Sequence, residues 1–184
     1  MRAVIDTSSL LALVRYYLPF DNNKSLRKYI KKLIDTGEII ILDKVYEESK
    51  YTSKGIILTE LNFLKDKQFK TNDILPNPKF FNQLENQFCY GSQRNRLDAS
   101  EFELAKKKYL NSADAKLLLY CMRDKDSLEL DLPILVTEET KAENDNKLFK
   151  KLPEICSILE IGHCSLPLLF RDYLKISISK YLTE

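Results

Sequence analysis

Ala3-Val4-Ile5-Asp6-Thr7-Ser8-Ser9-Leu10-Leu11-Ala12-Leu13-Val14 is the stretch on which the reading of this chain turns. Three apolar residues run straight into an acid. Three hydroxyl residues follow, placed to cap a helix, and then an apolar block that suits the helix itself. The pattern predicts a short buried strand, Asp6 at its carboxyl end, and a helix behind it. In an open parallel sheet, ligands gather outside the carboxyl ends of the strands. Asp6 is therefore a candidate functional residue.

Working outward, residues 24–36 keep Leu26, Tyr29, Ile30, Leu33 and Ile34 on one helical face, and Gly37 follows as a stop. Residues 38–42 read as a second buried strand. Asp43 suits an N-cap, residues 45–54 a helix ended by Gly55, and residues 56–65 a further helix. Residues 71–78 carry two prolines and predict a loop; residues 80–88 and 98–110 have helical spacing. Tyr90-Gly91-Ser92-Gln93-Arg94-Asn95-Arg96 reads as an exposed basic segment. Ser112 is placed to cap a helix carrying Asp114. After a charged loop over residues 123–131, Pro133-Ile134-Leu135-Val136 is a strand that runs into Thr137-Glu138-Glu139-Thr140, repeating the opening arrangement. A further strand is expected within residues 155–161 and a terminal helix over residues 168–174. Strands alternating with helices predict an α/β fold with a mainly parallel sheet.

The bulk properties narrow the function. The 184 residues make one domain, and 44% hydrophobic content supplies a sizeable core. A net charge of +2 gives no strong whole-chain field for nucleic acid or membrane. No apolar stretch is long enough to span a bilayer, and Met1-Arg2-Ala3 opens into the first strand without a signal peptide, so a cytoplasmic protein with no membrane partner is expected. Cys89, Cys121, Cys156 and Cys164 are scattered without a CxxC and read as reduced thiols. Cys156, His163 and Cys164 match no usual zinc spacing.

The acids are more informative. Asp6 ends the first strand, Glu48 follows the second, Asp114 lies in the first turn of a helix, and Glu138 and Glu139 follow the third apolar strand. Each taken singly suits a turn, a helix dipole or a solvated surface. Together they suggest a carboxylate cluster, which is tolerable only when cations neutralise it. Hard divalent ions with oxygen ligands, Mg²⁺ or Mn²⁺, are the natural partners, and such ions activate water and stabilise charge developing on a phosphodiester.

On Val4-Ile5-Asp6-Thr7-Ser8-Ser9-Leu10, Val45-Tyr46-Glu47-Glu48, Ser112-Ala113-Asp114-Ala115-Lys116-Leu117-Leu118 and Ile134-Leu135-Val136-Thr137-Glu138-Glu139, the chain resembles a PIN domain. PIN domains are metal-dependent nucleases that include the VapC-type toxins. The tail, Lys151-Leu152-Pro153-Glu154-Ile155-Cys156 and then Leu169-Phe170-Arg171-Asp172, looks closest to an uncharacterised bacterial PIN-like subgroup. The resemblance implies a three-layer α/β/α sandwich with a central, mainly parallel sheet, spanning residues 1–184 as a single domain with residues 66–110 a helical elaboration. It implies an endoribonuclease using Mg²⁺ or Mn²⁺, acting as the toxin of a toxin–antitoxin pair, silenced by an antitoxin protein and commonly a homodimer.

Residue by residue, Asp6 matches the first metal-binding acid and Asp114 the third. Glu48 matches the second, with Glu47 and Glu60 as alternatives. Glu139 matches the fourth, with Glu138 next in line. Thr7 or Ser8 matches the hydroxyl that orients the first acid, and Thr137 the one before the fourth. Ala115 stands where the family often has a bulky residue or proline, and the fourth acid is Glu where the family often has Asp. Arg94 and Arg96, with Lys106, Lys107 and Lys108 on the next helix, are candidates for RNA phosphate contacts. Two alternatives stay open: a catalytically degenerate PIN-fold binding module, and a metal-dependent DNA nuclease in phage defence.

Overall fold

A computed structural model of the chain describes residues 2–123, 132–141 and 146–182. Five strands make one all-parallel sheet: β1 (Ala3–Ile5), β2 (Ile39–Leu42), β3 (Gln68–Phe69), β4 (Ile134–Val136) and β5 (His163–Cys164), in the order β3-β2-β1-β4-β5. Helices cover both faces, giving a three-layer α/β/α sandwich. Val4 is paired with Ile40 on one side and Leu135 on the other, and β1 is almost fully buried. Burial on both faces explains why this strand reads as an unbroken apolar run without alternation.

The sheet order fixes where a site can form. From β1 the chain builds outward through β2 to β3, then crosses back to add β4 and β5 on the other side. The direction reverses between β1 and β4. Such a reversal opens a crevice outside the carboxyl ends of the two strands. Asp6 leaves β1 and Thr137-Glu138-Glu139 leaves β4 at that crevice.

The helices in chain order are α1 (Thr7–Ala12), α2 (Ser25–Asp35), α3 (Asp43–Ser49), α4 (Ile56–Glu60), α5 (Pro78–Asn86), α6 (Gly91–Arg94), α7 (Ala99–Leu110), α8 (Ala113–Arg123), α9 (Leu152–Leu159) and α10 (Leu166–Leu168). Two are prolonged by wider π-type turns, Leu13–Tyr17 after α1 and Leu169–Tyr173 after α10. Gly37, at φ 77°, ends the α2 segment in a left-handed conformation that favours glycine.

Several local expectations are corrected. The last strand is not in residues 155–161; those residues belong largely to α9. Leu152, Ile155, Cys156 and Leu159 fall on one buried helical face, Pro153 sits in the first turn where its missing N–H costs nothing, and Glu160 closes the helix at φ 53°. The strand lies just beyond, at His163–Cys164. Within residues 66–110 there is also a strand, β3, whose two half-exposed residues carry no apolar run to detect. Asp43 does not cap α3. Its carboxylate accepts bonds from the Thr71 N–H and hydroxyl at 3.2 and 2.6 Å, which ties the segment after β3 to the start of α3. The helix expected over residues 45–54 stops at Ser49, whose hydroxyl turns back onto the Val45 carbonyl at 2.7 Å. The helix over residues 56–65 becomes α4 and a tighter 3₁₀ segment, Asn62–Asp66. Most of the charged loop and polar turn expected around residues 123–131 and 141–146 lies outside the described residues.

The middle of the chain is anchored, not appended. Buried Lys116 on α8 donates to the Thr71 and Ile74 carbonyls at 3.3 and 2.8 Å. Phe80 and Phe88 meet edge to face at 5.5 Å within the core. Asp98 and Glu101 form a capping box at the start of α7. Because β4 carries the loop that reaches the crevice, its packing sets the site. Leu135→Ala, at a fully buried position, is expected to lower unfolding stability by about 2–5 kcal/mol with an unchanged urea m-value.

Candidate functional site

The crevice is built around Asp6. Its side chain is itself the N-cap of α1, accepting from the Thr7 N–H at 2.7 Å and the Ser8 N–H at 3.4 Å. The Ser8 hydroxyl adds a 2.6 Å bond and the Thr137 hydroxyl one at 3.1 Å. Four donors thus fix one buried carboxylate, and one of them comes from the far side of the crevice. The hydroxyls work in both directions. Ser8 Oγ accepts from the Glu138 N–H at 3.0 Å, and Thr137 Oγ1 from the Glu139 N–H at 3.2 Å. This network ties the turn after β4 to the start of α1.

Thr7 has a different partner. Its hydroxyl donates to Glu48 on α3 at 2.8 Å and so aims the Glu48 carboxylate toward the crevice. Asp114 sits in the first turn of α8, part-buried, with Ser112 as the cap that accepts from the Ala115 N–H at 3.3 Å. Glu139 is held by the Leu152 N–H at 3.0 Å, at the start of α9.

These four acids act on one another. Burial pushes the Asp114 carboxyl up to about 7, and the charges of Asp6, Glu139 and Glu48 push it the same way. Burial also raises Glu48, against the Thr7 hydrogen bond, with Asp6 and Glu139 adding to the rise. Lys147 partly offsets the repulsion at both. The expected four acids are therefore brought within electrostatic reach of each other.

The alternatives go elsewhere. Glu138 accepts from the Leu166 N–H at 2.6 Å and lies near Tyr17, on the other side of the loop from its neighbour Glu139. Glu47 pairs with Lys44 at 2.8 Å, and Glu60 pairs with Arg27. Arg94 stacks on the Phe102 ring at 3.8 Å and donates to the Leu97 carbonyl; Arg96 is exposed. Neither borders the two clefts that meet at Asp114. Lys106 is buried and paired with Glu85 and Glu103 at 2.5 and 2.6 Å, so of the three lysines on α7 Lys107 and Lys108 face solvent.

The clefts border residues beyond the acids, of which only Lys108 was singled out from the sequence. One, of about 650 Å³, joins Glu48 and Asp114 to Tyr51, Lys108 and Asn111. The other, of about 230 Å³, joins Asp114 and Glu139 to Tyr109, Lys147 and Lys151. Tyr109 reads from its sequence spacing as a core residue of α7, and it does stack on Phe149 at 4.2 Å. Its hydroxyl, however, is buried without a hydrogen-bond partner among the described residues, and burial first, with the charge of Asp114 next, opposes its ionisation. It stays a proton donor and lacks an acceptor. An oxygen ligand in the neighbouring cleft would supply one.

A hard divalent cation matches this donor set in chemistry, since every acid of the cluster offers only oxygen. Among the described residues, no three Asp, Glu, His or Cys side chains converge tightly enough to hold an ion as they stand.

The raised Asp114 carboxyl makes a stability prediction with a definite sign. The folded state binds a proton more tightly than the unfolded chain, so this group favours folding at low pH, and its contribution is lost as pH rises toward 7. Metal-free protein is expected to gain stability as pH falls from 8 to 5, and Asp114→Asn to flatten that slope, leaving the smaller part due to Glu48, and to raise stability at pH 8 by on the order of a few kcal/mol, read by urea denaturation at each pH. Tyr109→Phe, which deletes a hydroxyl with no partner, is expected to leave the stability of the metal-free protein unchanged or higher in the same measurement.

No curated protein and no solved structure matches the chain significantly. The model of the family described as Domain of unknown function (DUF4411) matches residues 4–173. That span opens within β1, takes in all four acids of the cluster and closes after α10; the chain belongs to the DUF4411 family.

Proposed function

We propose that this protein is a metal-dependent nuclease of the PIN type, hydrolysing RNA phosphodiesters at Asp6, Glu48, Asp114 and Glu139. The observation that supports this reading most is the crevice itself, where Thr7, next to Asp6, holds Glu48 and where Asp114 borders one cleft with Glu48 and a second with Glu139. Four acids from four distant chain segments sharing one crevice are costly without a cation. A protein that keeps them together gains from binding one.

Asp6, Glu48, Asp114 and Glu139 would hold one or two Mg²⁺ or Mn²⁺ ions. The bound ion supplies an activated water and stabilises the charge developing on the phosphate. The chain's own residues do the rest. Ser8 and Thr137 fix Asp6 in one orientation. Thr7 aims Glu48, and the Leu152 N–H holds Glu139. The Tyr109 hydroxyl, buried and without a partner among the described residues, would donate to an oxygen of a ligand in the smaller cleft. Residues oriented in this way before the ion arrives lower the cost of ordering them when it binds.

The toxin role, the antitoxin partner and the homodimer rest on the PIN resemblance alone. No helix among the described residues is long and apolar enough to cross a membrane.

A second reading has its own observation. The acids do not converge on one point as they stand, which suits a PIN-fold binding module that has lost its chemistry. Isothermal titration with Mn²⁺ separates the two. The nuclease reading expects binding in the wild type, an accompanying rise in melting temperature, and Mn²⁺-stimulated cleavage of RNA oligonucleotides over DNA. Asp6→Asn and Asp114→Asn are each expected to reduce cleavage by at least about 100-fold, and to relieve any growth arrest caused by expressing the wild type alone. Wild-type protein that binds no Mn²⁺, or cleavage that survives both substitutions, removes the nuclease reading.

A further inference from the structure

We propose that the larger cleft is a base-binding subsite: the Tyr51 ring stacks one unpaired base of a nucleic-acid strand, and Lys108 meets the phosphate beside it. This rests on the nuclease reading and names a part of the substrate that the acids do not touch.

Tyr51 lies two residues past the end of α3, after its C-cap Lys50. Its N–H bonds to the Glu48 carbonyl at 3.1 Å, which continues the helical turn and places Tyr51 one turn beyond Glu48 on the same face. The ring is 83% exposed, more than any other large apolar side chain among the described residues. It nonetheless borders a cleft of about 650 Å³ that also holds Glu48 and Asp114. That volume is in the range of about 300–1,000 Å³ common for small-ligand sites. A flat aromatic face kept in water beside a carboxylate cluster is unused packing surface, and a nucleobase is the planar group that nuclease chemistry would bring there.

The charges decide which part of the strand lies where. Glu47, Glu48 and Asp114 repel a phosphate from their side of the cleft, but a base is uncharged and offers a π-face. On that side Lys44 is already paired with Glu47 at 2.8 Å. Across the cleft, Lys108 is exposed on α7 and makes no ion pair among the described residues. The base therefore goes on Tyr51 and the backbone toward Lys108. The smaller cleft, which shares Asp114, continues the path past Lys147 and Lys151. A base can lie on a side chain only when it is not stacked in a duplex, so the subsite selects unpaired segments.

The test is fluorescence anisotropy with a labelled eight-nucleotide RNA and with a duplex of the same sequence, both in EDTA so that neither metal nor cleavage is needed. Tyr51→Ala is expected to weaken single-strand binding by at least about 5-fold, and Tyr51→Phe, which keeps the π-face, to stay within about 2-fold of wild type. Lys108→Ala is expected to weaken binding and lower the salt slope by about 1. Single-strand binding unchanged in Tyr51→Ala overturns the proposal. So does equal loss in Tyr51→Phe, equal weakening of the duplex, or wild-type protein that binds neither RNA. Cleavage lost in Asp6→Asn while Tyr51→Ala binds normally would keep the nuclease reading and discard the subsite; the converse pattern would discard the nuclease and keep the stacking platform.

Discussion

Like charges held together at the carboxyl end of a parallel sheet are the constraint on which the rest of this structure depends. Asp6, Glu48, Asp114 and Glu139 each raise the free energy of the others, and the effect is largest at Asp114, whose carboxyl is pushed to about 7. Nothing in packing the core requires this. Asn or Gln at the same positions would still offer hydrogen-bond acceptors and would remove the repulsion. The chain tolerates the crowding because each acid is separately anchored: Asp6 by four donors, Glu48 by Thr7, Glu139 by the Leu152 N–H. Those bonds stabilise the charged carboxylates where they stand and keep them from turning outward to water.

The anchoring reuses the needs of the backbone. A helix begins with N–H groups that have no partner inside it. Asp6 satisfies two at the start of α1, Glu139 one at α9, and Glu138 one at α10. Glu138 and Glu139 are adjacent, and in an extended chain adjacent side chains point to opposite faces. One therefore joins the crevice and the other stabilises a helix on the far side of the loop. From the sequence, Glu139 matches the fourth acid with Glu138 next in line. The direction of the chain leaving β4 separates them.

Most of the frame was legible because it depends on local patterns. Ala3-Val4-Ile5, Ile39-Ile40-Ile41-Leu42 and Ile134-Leu135-Val136 are unbroken apolar runs, as strands buried on both faces should be. The edges were not legible. β3 and β5 have two residues each, too short for any periodicity, and their pairing is set by what lies beside them. Asp6, Glu48, Asp114 and Glu139 stood out as acids at element ends. Tyr109 did not, because a buried tyrosine at helical spacing is what a core residue looks like; only the missing acceptor for its hydroxyl marks it. Arg94 shows how a local contact escapes the sequence. Basic residues in a polar loop suggest phosphate contact, yet Phe102, eight residues on, takes the guanidinium against its ring.

Tyr51, Lys108 and Tyr109 come from two helical segments that the sheet does not require to touch. The end of α7 meets the start of α8 because only two residues join them, and the segment before α7 is held to the sandwich by Lys116 on the Thr71 and Ile74 carbonyls and by Asp43 on Thr71. A buried lysine and a buried aspartate spent on backbone and hydroxyl partners are an expensive way to hold a loop, since each must be desolvated. The expense has a structural return. It fixes the segment leading to α7 relative to α3, and the walls of the larger cleft are the end of α3 on one side and the end of α7 on the other. The same segment thus sets the width of the cleft beside the acids. Residues 66–110 are then part of the site, and the spacing between Tyr51 and Lys108 follows from how firmly Lys116 and Asp43 are held.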